Sequence, residues 1–206
     1  CIRDSAYRVY AGAFLKDAGN VLFVLEQIRI RTGLTLQILS NSERRFIGYQ
    51  SVAAREEFDA MTKEGAAVVD VGGGTTGISI LKDGKVIYTD DEATGGSHMT
   101  MTVAGHYKIP YEDAEVLKTD PEKEAEIFPV IKATVEKMAT ITERFLQGYE
   151  VPAVYVVGGS ASFKEFTTVF EKKLKLPVYR PVHPLLVTPL GIAYYCELPP
   201  VTPKKK

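Results

Sequence analysis

The apolar positions change rhythm near residue 66, and the change divides the chain into two halves. In "DAGNVLFVLEQIRIRTG", Val21, Val24, Leu25 and Ile28 recur at the spacing of one helix face, and Gly33 stands where a C-terminal cap belongs. "RVYAGAFL" before it and "LTLQILS" after it read as short strands, and Ser40 or Ser42 caps a further helix through "ERRFIGYQSVAAREEF". Strand, helix, strand, helix predicts a parallel sheet for this half.

From residue 66 the pattern is one of closely spaced strands: "AAVVDV", "TGISIL", an Asp83-Gly84 turn, then "KVIYT". Three strands on short turns predict an antiparallel meander. "ATGGSHMTMTVAGHY" offers a glycine pair opening a helix, and "PYEDAEVLK" a short one. The segment after Asp120 carries Pro121 at the first helical position and acids in the first turn, which predicts a long helix kinked at Pro129. "AVYVV" reads as a buried strand and "GGSA" as a tight loop. "SFKEFTTVFEKKL" reads as a helix with Phe163, Phe166, Val169 and Phe170 on its core face, "LPVYR" as a last strand and "TPLGIAYYCEL" as a last helix.

Composition narrows the function classes. The chain has 206 residues, 45% hydrophobic and 25% charged, enough to bury a core without staples. Lys and Arg (25) balance Asp and Glu (26), so no overall field steers it to nucleic acid or to an acidic membrane, and a polyanion site must be local. The two cysteines, Cys1 and Cys196, form no CxxC or Cys/His pattern, which favours neither a disulfide framework nor a zinc site and makes a reducing cytosol the expected setting. His98, His106 and His183 are scattered and read as structural.

Three glycine stretches carry candidate chemistry. In "DVGGGTT", a strand ends in Asp70 and turns through Gly72, Gly73 and Gly74, offering backbone N–H groups with no Cβ in the way. Thr75 and Thr76 add hydroxyls, and Asp70 can hold a hydrated Mg²⁺; a glycine-rich hairpin explains the same residues. Gly95 and Gly96, just after Asp91, open a helix and suit either a cap or close approach to a phosphate. Gly158, Gly159 and Ser160 end a buried strand, where ligands sit in open α/β sheets.

The order of these loops resembles the second lobe of the actin, sugar-kinase and DnaK-chaperone superfamily. "DEATGGSHMTMTVAG", "EIFPVIKATVEKMA" and "HPLLVTPLGIA" are similar to the EutJ family of chaperone-like ethanolamine-utilisation proteins. The resemblance implies a ribonuclease H-like α/β fold with a complete second lobe over 66–198, a partial first lobe over 1–65 and a tail over 199–206. It implies ATP and Mg²⁺ as cofactors, with Asp70 holding Mg²⁺ through water, and Gly73, Gly74 and Thr75 on the β- and γ-phosphates. Asp91 would position the attacking water, Gly95 and Gly96 would approach the nucleotide, and Gly158, Gly159 and Ser160 would flank adenosine. Where the chaperones carry an acid after the glycine pair, Ser97, His98 and Met99 stand here, which implies a weak or regulatory ATPase.

Residues 17–58 resemble instead the exopolyphosphatase/guanosine-pentaphosphatase family of the same superfamily, with Glu43 in "LSNSERRF" matching its water-activating glutamate and Arg45 beside it facing phosphate. Three functions follow as expectations: a Mg-ATP-binding chaperone-like protein acting on ethanolamine-utilisation or microcompartment proteins, a phosphoanhydride hydrolase acting on polyphosphate, or an inactive scaffold. If the chain begins at Cys1 rather than being a fragment, the superfamily's opposing phosphate hairpin is missing and binding is expected ahead of turnover. Neither a nucleic acid nor a membrane is an expected partner, and the expected location is the cytoplasm, with the microcompartment as a further site of action.

Overall fold

The computed structural model describes residues 9–11, 15, 18–39, 64–83 and 85–187. Strand β1 (Val9–Ala11), helix α1 (Val21–Thr32) and strand β2 (Leu36–Ile38) form a strand–helix–strand unit. The two strands pair in parallel from Val9↔Leu36 to Ala11↔Ile38, as the alternation of elements predicts. Gly33 closes α1 in the left-handed conformation (φ 72°), its N–H reaching the Arg29 carbonyl at 2.8 Å. The helix expected after Ser42, together with Glu43 and Arg45, lies outside the described residues, as does the expected last helix from residue 188.

The second unit is a five-stranded mixed sheet. Strands β3 (Ala66–Val71), β4 (Thr76–Lys82) and β5 (Lys85–Glu92) make the predicted antiparallel meander. Strands β6 (Val154–Val157) and β7 (Val178–Tyr179) add in parallel on the other side of β3, giving the order β5-β4-β3-β6-β7. All six residues of the central strand β3 are buried, which is why it reads as an apolar run interrupted only by Asp70.

Among the described residues the α-helices of this unit are α2 (Gly96–Tyr107), α3 (Tyr111–Thr119), α4 (Glu124–Phe145) and α5 (Phe166–Leu174). Helix α4 buries Ile127, Ile131, Val135, Met138, Thr142 and Phe145 at three- and four-residue steps, against Val69 of β3 and Ile78 and Ile80 of β4. Ala66, Val68, Leu81, Val157 and Val187 form a smaller cluster. The two sets alternate along β3 and β4, so they mark opposite faces of the sheet. On α5 the Phe166 and Phe170 rings stack at 4.7 Å, and Phe163 and Val169 are buried with them, as the stripe predicts.

Three boundaries differ from expectation. Asp120 caps a 3₁₀ turn, Pro121–Lys123, with its Oδ1 accepting the Glu122 N–H at 2.9 Å, and the α-helix begins only at Glu124. Pro129 lies in the second turn of that helix. Helix α5 starts at Phe166, because Gly159–Ser162 form a 3₁₀ turn of their own. Strand β5 continues through Asp90, Asp91 and Glu92, where acids argue for a loop; pairing with Thr76, Gly77 and Ile78 overrides that local preference at a solvated edge. No helix among the described residues is long and apolar enough to cross a membrane.

Candidate functional site

The three glycine stretches meet at one end of β3. Asp70 is almost fully buried (6% exposed) near the end of β3, paired on one side with Gly77 and on the other with Val157. The turn that follows closes on itself, with the Gly72 N–H donating to the Thr75 carbonyl at 3.0 Å. The Gly72 and Gly73 carbonyls then accept from the first amides of α2, Gly96 N–H at 2.9 Å and Ser97 N–H at 2.7 Å. From the third stretch, the Ser160 hydroxyl lies 2.8 Å from where a Cβ on Gly96 would stand. A Cβ on Gly158 would meet the Val71 carbonyl and, at 2.9 Å, Asp70 Oδ1. At 95 and 158 backbone of the first stretch occupies the space of a side chain, and at 96 the Ser160 hydroxyl does.

The glycines therefore divide into two kinds. Gly95, Gly96 and Gly158 allow the loops to pack against one another. Gly73 and Gly74 are exposed, with nothing within 4 Å of a would-be Cβ, and no hydrogen bond among the described residues engages their N–H groups or that of Thr75. An open, side-chain-free row of amides next to a buried carboxylate fits a phosphate group and its counter-cation. The Gly72 N–H is already engaged, and so are the first amides of α2, which hold the loop. Thr76 is buried in β4 and donates its hydroxyl to the Thr94 carbonyl at 2.7 Å, tying the first loop to the second.

Asp91 stands on β5 directly across Gly77 from Asp70. Among the described residues no three His, Cys, Asp or Glu side chains converge as a directly ligated metal would require. His98 acts as a cap: its Nδ1 accepts the Gly95 N–H at 3.2 Å and its own N–H donates to the Gly95 carbonyl at 3.0 Å. The His98 imidazole thus closes the start of α2 two residues after the glycine pair.

Two cations that sequence reading missed hold the loops from behind. Lys118 of α3, with 10% of its side chain exposed, donates to the Gly96 carbonyl (3.2 Å), Thr100 Oγ1 (2.7 Å) and Glu115 Oε2 (2.7 Å), and Thr100 also bonds Glu115. Arg180, just after β7, donates from one nitrogen to the carbonyls of Ala161, Ser162 and Phe163 at 3.0, 2.8 and 2.7 Å, closing the end of the 3₁₀ turn that begins at Gly159. Neither stands in a motif; only an i, i+3 acid–lysine pair on a short helix hints at the first.

Burial pushes the Glu115 carboxyl upward, but hydrogen bonds from Lys118 and Thr100 and the Lys118 charge outweigh it, leaving its pKa below the usual value. A depressed carboxylate stabilises the fold above its unfolded pKa, about 4.3, and that contribution disappears as pH falls through the lower folded value. The urea midpoint of the protein is therefore expected to fall on acidification across this window. In Lys118→Met that part of the slope should vanish; an unchanged acid profile would count against the network.

Comparison with known proteins places the chain. The pattern of one family, described as cell division protein FtsA, matches residues 67–191. The chain belongs to the FtsA family. Its fold is the actin-like ATPase fold, a mixed α/β architecture. The ethanolamine utilization protein EutJ of Salmonella typhimurium strain LT2 is 44% identical over 136 residues, 66% of this chain and 48% of EutJ. The chain thus spans about half the length of the curated relatives it matches. The crystal structure of EutJ from Carboxydothermus hydrogenoformans superposes with a TM-score of 0.74 at 35% identity, covering 93% of this chain and 66% of that one. MreB5 of Spiroplasma citri bound to AMPPNP shares the fold, with a TM-score of 0.67 at 15% identity over 90% of this chain and 66% of that one. The EutJ superposition covers more of this FtsA-family chain than residues 66–206 alone.

Proposed function

We propose that this FtsA-family chain is part of a Mg-ATP-binding, chaperone-like protein of the EutJ type that acts on ethanolamine-utilisation or microcompartment proteins. The observation that carries the proposal is the convergence of three sequence-distant loops on the turn of exposed Gly73 and Gly74 and half-buried Thr75 beside Asp70. Those amides would take the β- and γ-phosphates, Asp70 the hydrated Mg²⁺, and the Gly158–Ser160 turn the adenosine side. Lys118 and Arg180 would keep the loops in place without touching the nucleotide's phosphates. The identity with EutJ supports the assignment of pathway, and the AMPPNP held by MreB5 supports nucleotide as the ligand of this fold.

Bound Mg²⁺ supplies charge neutralisation for the phosphates; every other contribution here is positional. Isothermal titration of the chain with Mg-ATP tests the proposal. Binding that weakens about tenfold or more in Asp70→Ala is expected, on the scale of removing one partner from a metal site. Absence of binding in the parent protein, or affinity indifferent to Asp70, refutes it.

A further inference from the structure

Helices α2 and α4 meet through two hydroxyls, with Thr102 Oγ1 and Thr134 Oγ1 3.2 Å apart. The Thr102 proton goes to the His98 carbonyl at 2.8 Å, so Thr134 is the donor of the pair. That contact is longer than the usual hydroxyl range of about 2.5–3.0 Å, which leaves the Thr134 proton loosely held. Beside it the helices part around an open cavity of about 340 Å³, with Thr94, His98, Met101 and Thr102 on one wall and Thr134 and Lys137 on the other. His98 uses Nδ1 to accept the Gly95 N–H, which leaves Nε2 as the ring nitrogen that can donate.

Lys137 has no hydrogen-bond or ion-pair partner among the described residues. Its neighbours one turn away on α4 are Ala133, Thr134, Thr140 and Ile141, and α2 contains neither Asp nor Glu. Among the described residues the lining thus gathers three donors, the Lys137 ammonium, the Thr134 hydroxyl and the His98 ring, and no carboxylate. Met101, 52% exposed, adds an apolar thioether chain to the wall.

We propose that this cavity binds a small organic anion, with its carboxylate or phosphate head on Lys137, Thr134 and His98 and a body of a few carbons against Met101. Hydrogen bonds between an ammonium and an oxyanion are the strong kind, and here no acid of the wall competes for them. The volume lies at the small end of ligand pockets, about 300–1,000 Å³, and equals about eleven waters at about 30 Å³ each, which suits a short-chain metabolite. The site is separate from the phosphate-side turn and stands without the nucleotide reading. Two of its walls still belong to the loops, because the Thr94 carbonyl accepts from Thr76 and His98 caps Gly95. An anion seated there touches residues that hold the second glycine stretch in place.

The test is a titration of the chain, carrying ¹³C at its methionine methyl groups, with butyrate and with propyl phosphate at constant ionic strength and without nucleotide. Met101→Leu identifies the Met101 methyl signal. Saturable movement of that signal is expected with at least one probe, and the tighter probe names the head group. Lys137→Gln is expected to weaken the binding about ten- to a hundredfold, the scale of a hydrogen bond to a charged group, and Lys137→Arg to retain it. Thr134→Ala is expected to weaken it about two- to tenfold. Lys132→Gln, also exposed on α4 but outside the cavity, is expected to leave it unchanged. No saturable movement with either probe, movement indifferent to Lys137, or equal weakening in Lys132→Gln and Lys137→Gln overturns the proposal.

Discussion

Gly158→Ala is expected to lower the unfolding free energy by about 2–6 kcal/mol, the combined scale of left-handed backbone strain and core overpacking. Gly158 has φ 95° and ψ 165°, a region that side-chain-bearing residues hardly enter. The added methyl would also meet the Val71 carbonyl oxygen, with the Val71 carbonyl carbon and Asp70 Oδ1 at 2.9 Å. The clash is with the central strand of the sheet, which has no freedom to retreat. Urea denaturation with an unchanged slope and a lowered midpoint would report the loss. A midpoint shift worth less than about 1 kcal/mol, the size of an ordinary point mutation, would mean that β6 and β3 pack less tightly than described.

Gly95→Ala should act on binding more than on folding. Gly95 is extended, so its backbone suits any residue, but the new methyl would lie 2.5 Å from the Thr75 nitrogen and 2.7 Å from both the Gly72 oxygen and the Gly74 carbonyl carbon. Every one of those atoms belongs to the turn proposed to grip phosphate. The turn must move, and displacing positioning groups by about 1 Å costs about 10²-fold in the function they serve. Nucleotide affinity is expected to fall by that order. Gly105→Ala, on the exposed side of α2 with nothing within 4 Å, provides the control: it should leave affinity intact and add about 0.5–1 kcal/mol of stability. Equal affinity in the Gly95 and Gly105 variants would remove the β3–β4 turn from the site.

The glycines were legible because each one breaks a pattern: an apolar strand stops at Asp70 or Val157 and the chain turns without side chains. What glycine does there was not legible. The sequence offers all of them to a ligand, whereas Gly95 and Gly158 face neighbouring backbone, Gly96 the Ser160 hydroxyl and Gly159 the Leu185 side chain, and Gly73 and Gly74 face open space. That distinction depends on contacts across 20 to 90 residues, which no local spacing encodes. Asp91 shows the same limit differently. Its separation from Asp90 and Glu92 onto the other face follows from continued pairing with β4, past a register shift at Ile80/Leu81. A sequence reading that ends the strand at Thr89 cannot assign it a face. Lys118 and Arg180 were invisible because lysine and arginine near helix and strand ends are ordinary, and only the tertiary fold gives them buried carbonyls.

The bonds from Gly96 and Ser97 to the Gly72 and Gly73 carbonyls join the phosphate-side turn to the end of a twelve-residue helix, and Lys118 rivets that same end to α3. A turn held this way has no private motion. A ligand that drew Gly73 and Gly74 toward itself would load the first turn of α2 through these bonds, and a partner gripping that arm would load the turn in return. Occupancy at one end and position at the other are thus two readings of a single lever.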